Sequence, residues 1–127
     1  MPWSYSIDSE RNVVFTTGTG VLTEQELLGG LRSLYADPKF HPDHRGLFDY
    51  REVETLQISN DLMASLAASR KYSARSRTAF LVNGPLAYGL GRLYQTWVQD
   101  GQVKIANERA EAVAWLNEGL PPEKHIT

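Results

Sequence analysis

The sequence predicts a single α/β domain built on one mixed, mostly parallel sheet, with an N-terminal β-hairpin followed by helix-strand units and helices covering the sheet. Three observations predict it. Short apolar or β-branched runs recur at residues 13–16, 46–50, 78–82 and 102–106. The stretches between them carry apolar residues at helical spacings of three and four, and a helix between successive strands implies parallel neighbours. The length of 127 residues suits one domain, the usual size being about 100–150 residues. The whole chain, 1–127, is therefore expected to be one unit, with its core at about 3–118 and a C-terminal tail at 119–127.

The hairpin comes first. Trp3, Tyr5 and Ile7 alternate with Ser4, Ser6 and Asp8, which is the two-residue period of a half-buried strand. Glu10, Arg11 and Asn12 turn the chain into Val13, Val14, Phe15 and Thr16, and Gly18 and Gly20 loosen the end of that second strand. Thr23-Glu24-Gln25-Glu26 then has the form of a capping box. Leu27, Leu28, Leu31, Leu34 and Tyr35 mark the inner face of the helix that follows. Gly29 and Gly30 weaken it by up to ~1 kcal/mol each relative to alanine, which points to a close backbone contact. Asp37-Pro38 ends it, because a residue before proline avoids the helical region.

A polar loop over 39–45 leads to a buried central strand at 46–50, and residues 51–58 read as a connection. Ser59 is placed to cap a second helix, with Asn60 and Asp61 in its first turn and Leu62, Met63, Leu66 and Ala67 on its inner face. This helix should end near Tyr72. After the strand at 78–82, Pro85 stands as the first residue of a third helix, where its missing amide costs nothing. Leu86, Leu90, Leu93, Tyr94 and Trp97 form its stripe. Asp100-Gly101 turns into the last strand. Asn107 is then expected to cap a final helix lined by Ala110, Val113, Ala114 and Leu116 and stopped by Gly119 and Pro121.

Composition excludes more than it selects. Thirteen Lys and Arg against fifteen Asp and Glu give a formal charge of −2, which argues against a nucleic-acid partner. There is no cysteine, so disulfides, thiolate metal sites and thiol nucleophiles are out. No apolar run reaches the ~20 residues of a membrane span, and the first ten residues lack a secretory signal. A cytoplasmic protein is expected.

In open α/β sheets, ligands meet the carboxyl ends of the strands. That edge would gather residues 18–23, 49–59, 83–85 and 106–107, with three helix N-termini facing it. No histidine falls there, and Glu52 and Glu54 are expected on a solvated loop. Asp49, Arg51 and Asn83 could meet there and polarise a small substrate, yet they supply neither a nucleophile nor a base with reason for a tuned pKa. His41-Pro42-Asp43-His44 has two imidazoles and a carboxylate, but a surface loop is the simpler reading, and no metal or cofactor is expected. His125 falls in a tail expected to fray.

Gly89 and Gly91 sit inside a helix and not at a strand-to-helix turn, and no Lys-Ser or Lys-Thr follows, so they suggest close packing and not nucleotide binding. Arg70, Lys71, Arg75 and Arg77 around Tyr72, with Arg92 a further candidate neighbour, read either as an anion-binding patch or as a solvated helix end. Tyr94 and Trp97 are expected in the core. Tyr88 falls off the stripe and is expected at the surface as an interface candidate.

Taken together, the element order and the segments LTEQELLGGLRSLYADPKF, GLFDYREV, AFLVNGPLAYGLGRLYQ and VKIANERAEAVAWL resemble the STAS domains of bacterial anti-sigma-factor antagonists. The likeness extends to a STAS-like group related to lipid-binding Sec14-type domains. The resemblance implies a small, cytoplasmic, non-enzymatic regulatory or protein-interaction domain, its partner another protein or a second copy paired through the hairpin edge. In antagonist STAS domains a Ser or Thr at the start of the second main helix is phosphorylated, and Ser59 stands at the comparable place, followed by Asn60-Asp61 and not by the family's usual motif. Asp49, Arg51, Asn60, Asp61, Asn83, Gly84 and Tyr88 make the candidate interaction surface. The alternative is a carrier or sensor of a lipid or other small apolar ligand, held between the sheet and a movable helix in a dry pocket of the usual ~300 Å³ or more.

Overall fold

The structure, a computed structural model, describes residues 2–98 and 102–127. The chain runs β1 (Trp3–Asp8), β2 (Val13–Thr23), α1 (Glu24–Ala36), β3 (Arg45–Gln57), α2 (Asn60–Ala68), β4 (Arg77–Leu81), α3 (Pro85–Trp97), β5 (Gln102–Ala106) and α4 (Arg109–Asn117). A single turn of 3-10 helix follows at Pro122–Lys124. Among the described residues the strands form one sheet in the order β1-β2-β3-β4-β5, antiparallel between β1 and β2 and parallel elsewhere. The expected mixed α/β sheet with its leading hairpin is what the chain forms. The expected turn at Asp100-Gly101 lies outside the described residues.

Because β2 to β5 lie side by side in chain order, right-handed crossovers place all three intervening helices on one face. Alternation along the strands confirms it. Val14, Phe48, Phe80 and Val82 point to the side where Leu27, Leu31, Leu34, Ala67 and Tyr94 of the three crossover helices pack. Val13, Leu47, Ala79, Leu81 and Ala106 point the other way, to Ala112 and Leu116 of α4 and to Ile126 of the tail.

Several elements differ from expectation, each for a physical reason. Residues 51–58 are largely strand and not a connection, because β3 pairs with β2 as far as Thr23↔Gln57 across two irregularities in register. Gly18 and Gly20 sit at those irregularities inside β2 and do not end it, so Glu52 and Glu54 stand exposed on a strand. The second helix stops at Ala68, four residues short of Tyr72, whose ring is buried in the core. Leu28, Leu86 and Trp97 lie outside the buried stripes, and Trp97 is 53% exposed where core packing was expected. The last helix is capped at Glu108 and not Asn107, and it buries Ala112 and Leu116 while Ala110 and Ala114 face solvent.

The largest correction concerns the supposed loop at 39–45 and the tail. His44 and Arg45 are both buried. The Arg45 guanidinium donates to the carbonyls of Leu116 at 3.0 Å and Arg11 at 2.7 Å, to Asn117 Oδ1 at 3.2 Å and to the Lys124 carbonyl. Asn117 in turn holds the backbone of Ile126 on both its polar sides, at 2.8 and 3.0 Å. His125 bonds the Leu120 carbonyl at 2.8 Å. This tail does not fray: it closes the part of the lower face that a nine-residue α4 leaves bare.

The two helix glycines separate cleanly. A Cβ at Gly30 would fall 2.2 Å from Cε3 of the Trp3 ring, whereas one at Gly29 would meet nothing within 4 Å. Gly30→Ala should therefore destabilise by about 1–3 kcal/mol through overpacking. Gly29→Ala should stabilise by roughly 0.5–1 kcal/mol through helix propensity. Urea unfolding of the two variants against the parent checks the opposite signs.

Candidate functional site

Asp49 and Arg51 are two residues apart on β3, so their side chains rise from the same face at the carboxyl edge. They bind each other in a two-pronged pair, Arg51 Nε to Asp49 Oδ1 at 3.0 Å and Nη2 to Oδ2 at 2.8 Å. Asn83 Nδ2 donates to the Arg51 carbonyl at 3.0 Å, which satisfies β3 where β4 has stopped. The expected meeting of Asp49, Arg51 and Asn83 is real. The Arg51 hydrogen bonds hold the Asp49 carboxyl below the usual range, and the same pairing raises Arg51. Neither group is poised for proton transfer near neutrality, and both are spent on one another.

Ser59 caps α2 by accepting the Leu62 amide at 3.1 Å, while its own amide donates to the Glu24 carboxylate at 2.8 Å. That bond ties the starts of α1 and α2 together. A phosphate on Ser59 would face Glu24 and Asp61 as well as the helix amides. Asn60 and Asp61 are exposed in the first turn of α2. Gly84 begins α3 at a φ of 84°, a conformation that favours glycine, and Tyr88 is exposed one turn on. Leu86, in the first turn of the same helix, is 65% exposed. The basic run is not one patch: Arg75 pairs with Asp43 at 3.2 Å and Arg77 with Glu118 at 3.1 Å, while Arg70 donates to Thr78 Oγ1 at 3.3 Å.

Behind this edge, between the sheet and the helices where the carrier alternative expected a pocket, lies a chamber whose lining residues the patterns did not single out. It holds about 80 Å³ between the sheet and the inner sides of the three crossover helices. Its walls are almost wholly apolar: Leu31 from α1, Met63 and Leu66 from α2, Leu90 from α3, and Phe48 and Phe80 from the sheet. The sequence signal was present but diffuse. Gly91 thins the α3 wall, where a Cβ would come within 3.0 Å of Ile105, and aromatic residues alternate along β3. Nothing in those patterns says whether the layers meet or leave a gap.

No family model matches the chain, and no curated protein matches it. Among solved structures, it is similar to an uncharacterised protein of the DUF3478 family from Shewanella loihica PV-4, described as having a SpoIIAA-like fold. The two are 20% identical, with a TM-score of 0.60 over 90% of this chain and 93% of that one. The fold is SpoIIAA-like.

A SpoIIAA-like fold agrees with the STAS resemblance and places Ser59 at the head of the second crossover helix. No helix of the described residues is long and apolar enough to cross a membrane. The Asp49–Arg51 pair gives the edge a testable signature. A carboxyl depressed in the folded state contributes stability that is complete above its unfolded pKa and is lost as pH falls through the folded value. The stability difference between the parent and Asp49→Asn should thus be constant from about pH 7 to 5 and shrink below about pH 4. Urea midpoints measured across that range check it.

Proposed function

We propose that this SpoIIAA-like chain is a non-enzymatic regulatory domain, a sensor or carrier that takes the apolar part of a small ligand between its sheet and α1–α3. The chamber is the observation that carries the reading. Packed interiors rarely leave a gap of this size, and an apolar gap stays dry and attracts apolar guests. At about 80 Å³ it is smaller than the ~300 Å³ of an ordinary ligand pocket. A larger ligand therefore enters only as α2 moves outward. That helix is suited to it: of its nine residues only Ala67 is fully buried.

The carboxyl edge is the output side of this reading. Asp49, Arg51 and Asn83, bonded to one another, together with Asn60, Asp61, Gly84, Tyr88 and the exposed Leu86, make a mixed polar and apolar surface suited to a protein partner or a second copy. Ser59 joins α1 to α2 there, so displacement of α2 would reach the edge through the Glu24 bond. The Shewanella structure supports a bacterial setting, and the reading places the protein in the cytoplasm.

Native mass spectrometry of the chain purified from its cells should show a bound small apolar mass. Ala87→Phe, which fills the chamber wall, should abolish that mass while the melting temperature stays within a few degrees of the parent. A parent chain that repeatedly carries no added mass, or a filled variant that still carries it, would overturn the reading.

A further inference from the structure

The amino edge of the sheet, opposite the carboxyl edge, holds a second cleft, of about 240 Å³. Strand order explains its charge. β2, β3 and β4 run parallel and side by side, so the residues at their starts share one edge. Arg11 stands two residues before β2, Arg45 opens β3, and Arg77 opens β4 with Arg75 just ahead of it. All four line the cleft, and Lys124 of the tail joins them. The register puts Arg45 and Arg77 side by side, one residue before the Gly46↔Thr78 pair. Like charges on neighbouring strands cost stability, so the fold gains nothing from gathering them.

The counter-charges fall short. Arg75 meets Asp43 at 3.2 Å and Arg77 meets Glu118 at 3.1 Å, both acids lying on the cleft. Arg11 meets Asp8 at 2.9 Å. Among the described residues Arg45 and Lys124 have no carboxylate partner. Arg45 donates to carbonyls and to Asn117, and the Lys124 ammonium donates to the Glu10 carbonyl at 2.6 Å. Two positive charges thus stand uncompensated in a chain whose formal charge is −2. The one on Arg45 is buried, where salt screens it weakly. Donors remain as well: the Arg75 side chain is 85% exposed and gives Asp43 only its Nη2. Asp43 and Glu118 are exposed too, and surface pairs of this kind exchange partners at little cost.

We propose that the amino-edge cleft binds the phosphate group of a small soluble molecule, with Arg75, Arg77 and Lys124 donating to it and Arg45 supplying buried positive charge. A phosphate carries close to two negative charges near neutrality, the number the cleft lacks, and its oxygens match guanidinium forks. A carboxylate brings one. The volume is close to the ~300 Å³ at which ordinary ligand sites begin. Exposed Asp43 and Glu118 would repel a flat anionic membrane, which favours a small ligand over a lipid headgroup. This site stands apart from the apolar chamber, and neither depends on the other.

The test is an NMR titration of the full chain with inorganic phosphate and with acetate at matched ionic strength. Phosphate should shift the Nε–H signals of Arg75 and Arg77 saturably, and bind at least about tenfold more tightly than acetate. Arg75→Gln should melt with the parent and lose about tenfold in phosphate affinity. Asp43→Asn, which frees Arg75 from its competitor, should gain severalfold, whereas a pair that serves only the fold would leave affinity unchanged. No saturable shift, equal affinity for acetate, or an unchanged affinity in either variant would overturn the proposal. Co-sedimentation with phosphatidic-acid vesicles by a chain that ignores inorganic phosphate would place the phosphate on a membrane and overturn it as well.

Discussion

β2, β3, β4 and β5 succeed one another across the sheet in chain order, and each parallel step takes the right-handed crossover that twisted strands impose. These two facts confine α1, α2 and α3 to one face, and much else follows from that confinement. Three helices crowd one side while the other receives only α4 and the tail. The bare side is closed by a device no helix supplies: a buried guanidinium, Arg45, gathering carbonyls from the α4 end, the hairpin and the tail. Guanidinium suits the task because its fixed fork reaches several acceptors at once without deprotonating.

The crowded side has the opposite problem. Helices laid across a twisted sheet must match its curvature with side chains, and the match here is good above β2 and poorer above β3 and β4. Leu27, Leu31 and Leu34 fill the first region with Trp3 and Val14. Over the second, aromatic rings meet edge to face, Phe48 on Phe80 at 5.0 Å and Phe80 on Tyr94 at 5.3 Å. Rigid rings in such contacts leave gaps that flexible aliphatic chains would close. The chamber is such a gap. Tyr35, Tyr50 and Tyr94 also line it, so the gap is bordered by phenols as well as by aliphatic chains. At the carboxyl edge, where chemistry is usual in α/β sheets, the charged groups neutralise each other instead.

Local signals in the sequence were read well, and distant ones were not. Thr23 accepts the Glu26 amide at 3.2 Å and Ser59 the Leu62 amide at 3.1 Å, as their spacing foretold, because a cap is decided within four residues. Pro85 starts α3 and Asp37-Pro38 ends α1 for equally local reasons. The strand at 51–57 was misread because its stability comes from β2, some thirty residues away, and its composition resembles a solvated loop. The helical period alone points Trp97 to the core, yet as the last residue of α3 it is 53% exposed. Arg45 left no trace, since its partners are mostly backbone carbonyls and any residue provides those. Asp49, Arg51 and Asn83 were brought together correctly by strand order. That they would consume one another depends on rotamers, which no spacing reveals.

The central claim is that a dry, ligand-accepting space separates the sheet from its crossover helices. Xenon enters such spaces and is seen directly by its electron density. In a crystal of the full chain held under xenon pressure, the account predicts an ordered xenon atom bounded by Leu31, Phe80 and Leu90. Layers closed upon each other there, or water molecules occupying the space in place of xenon, would contradict it.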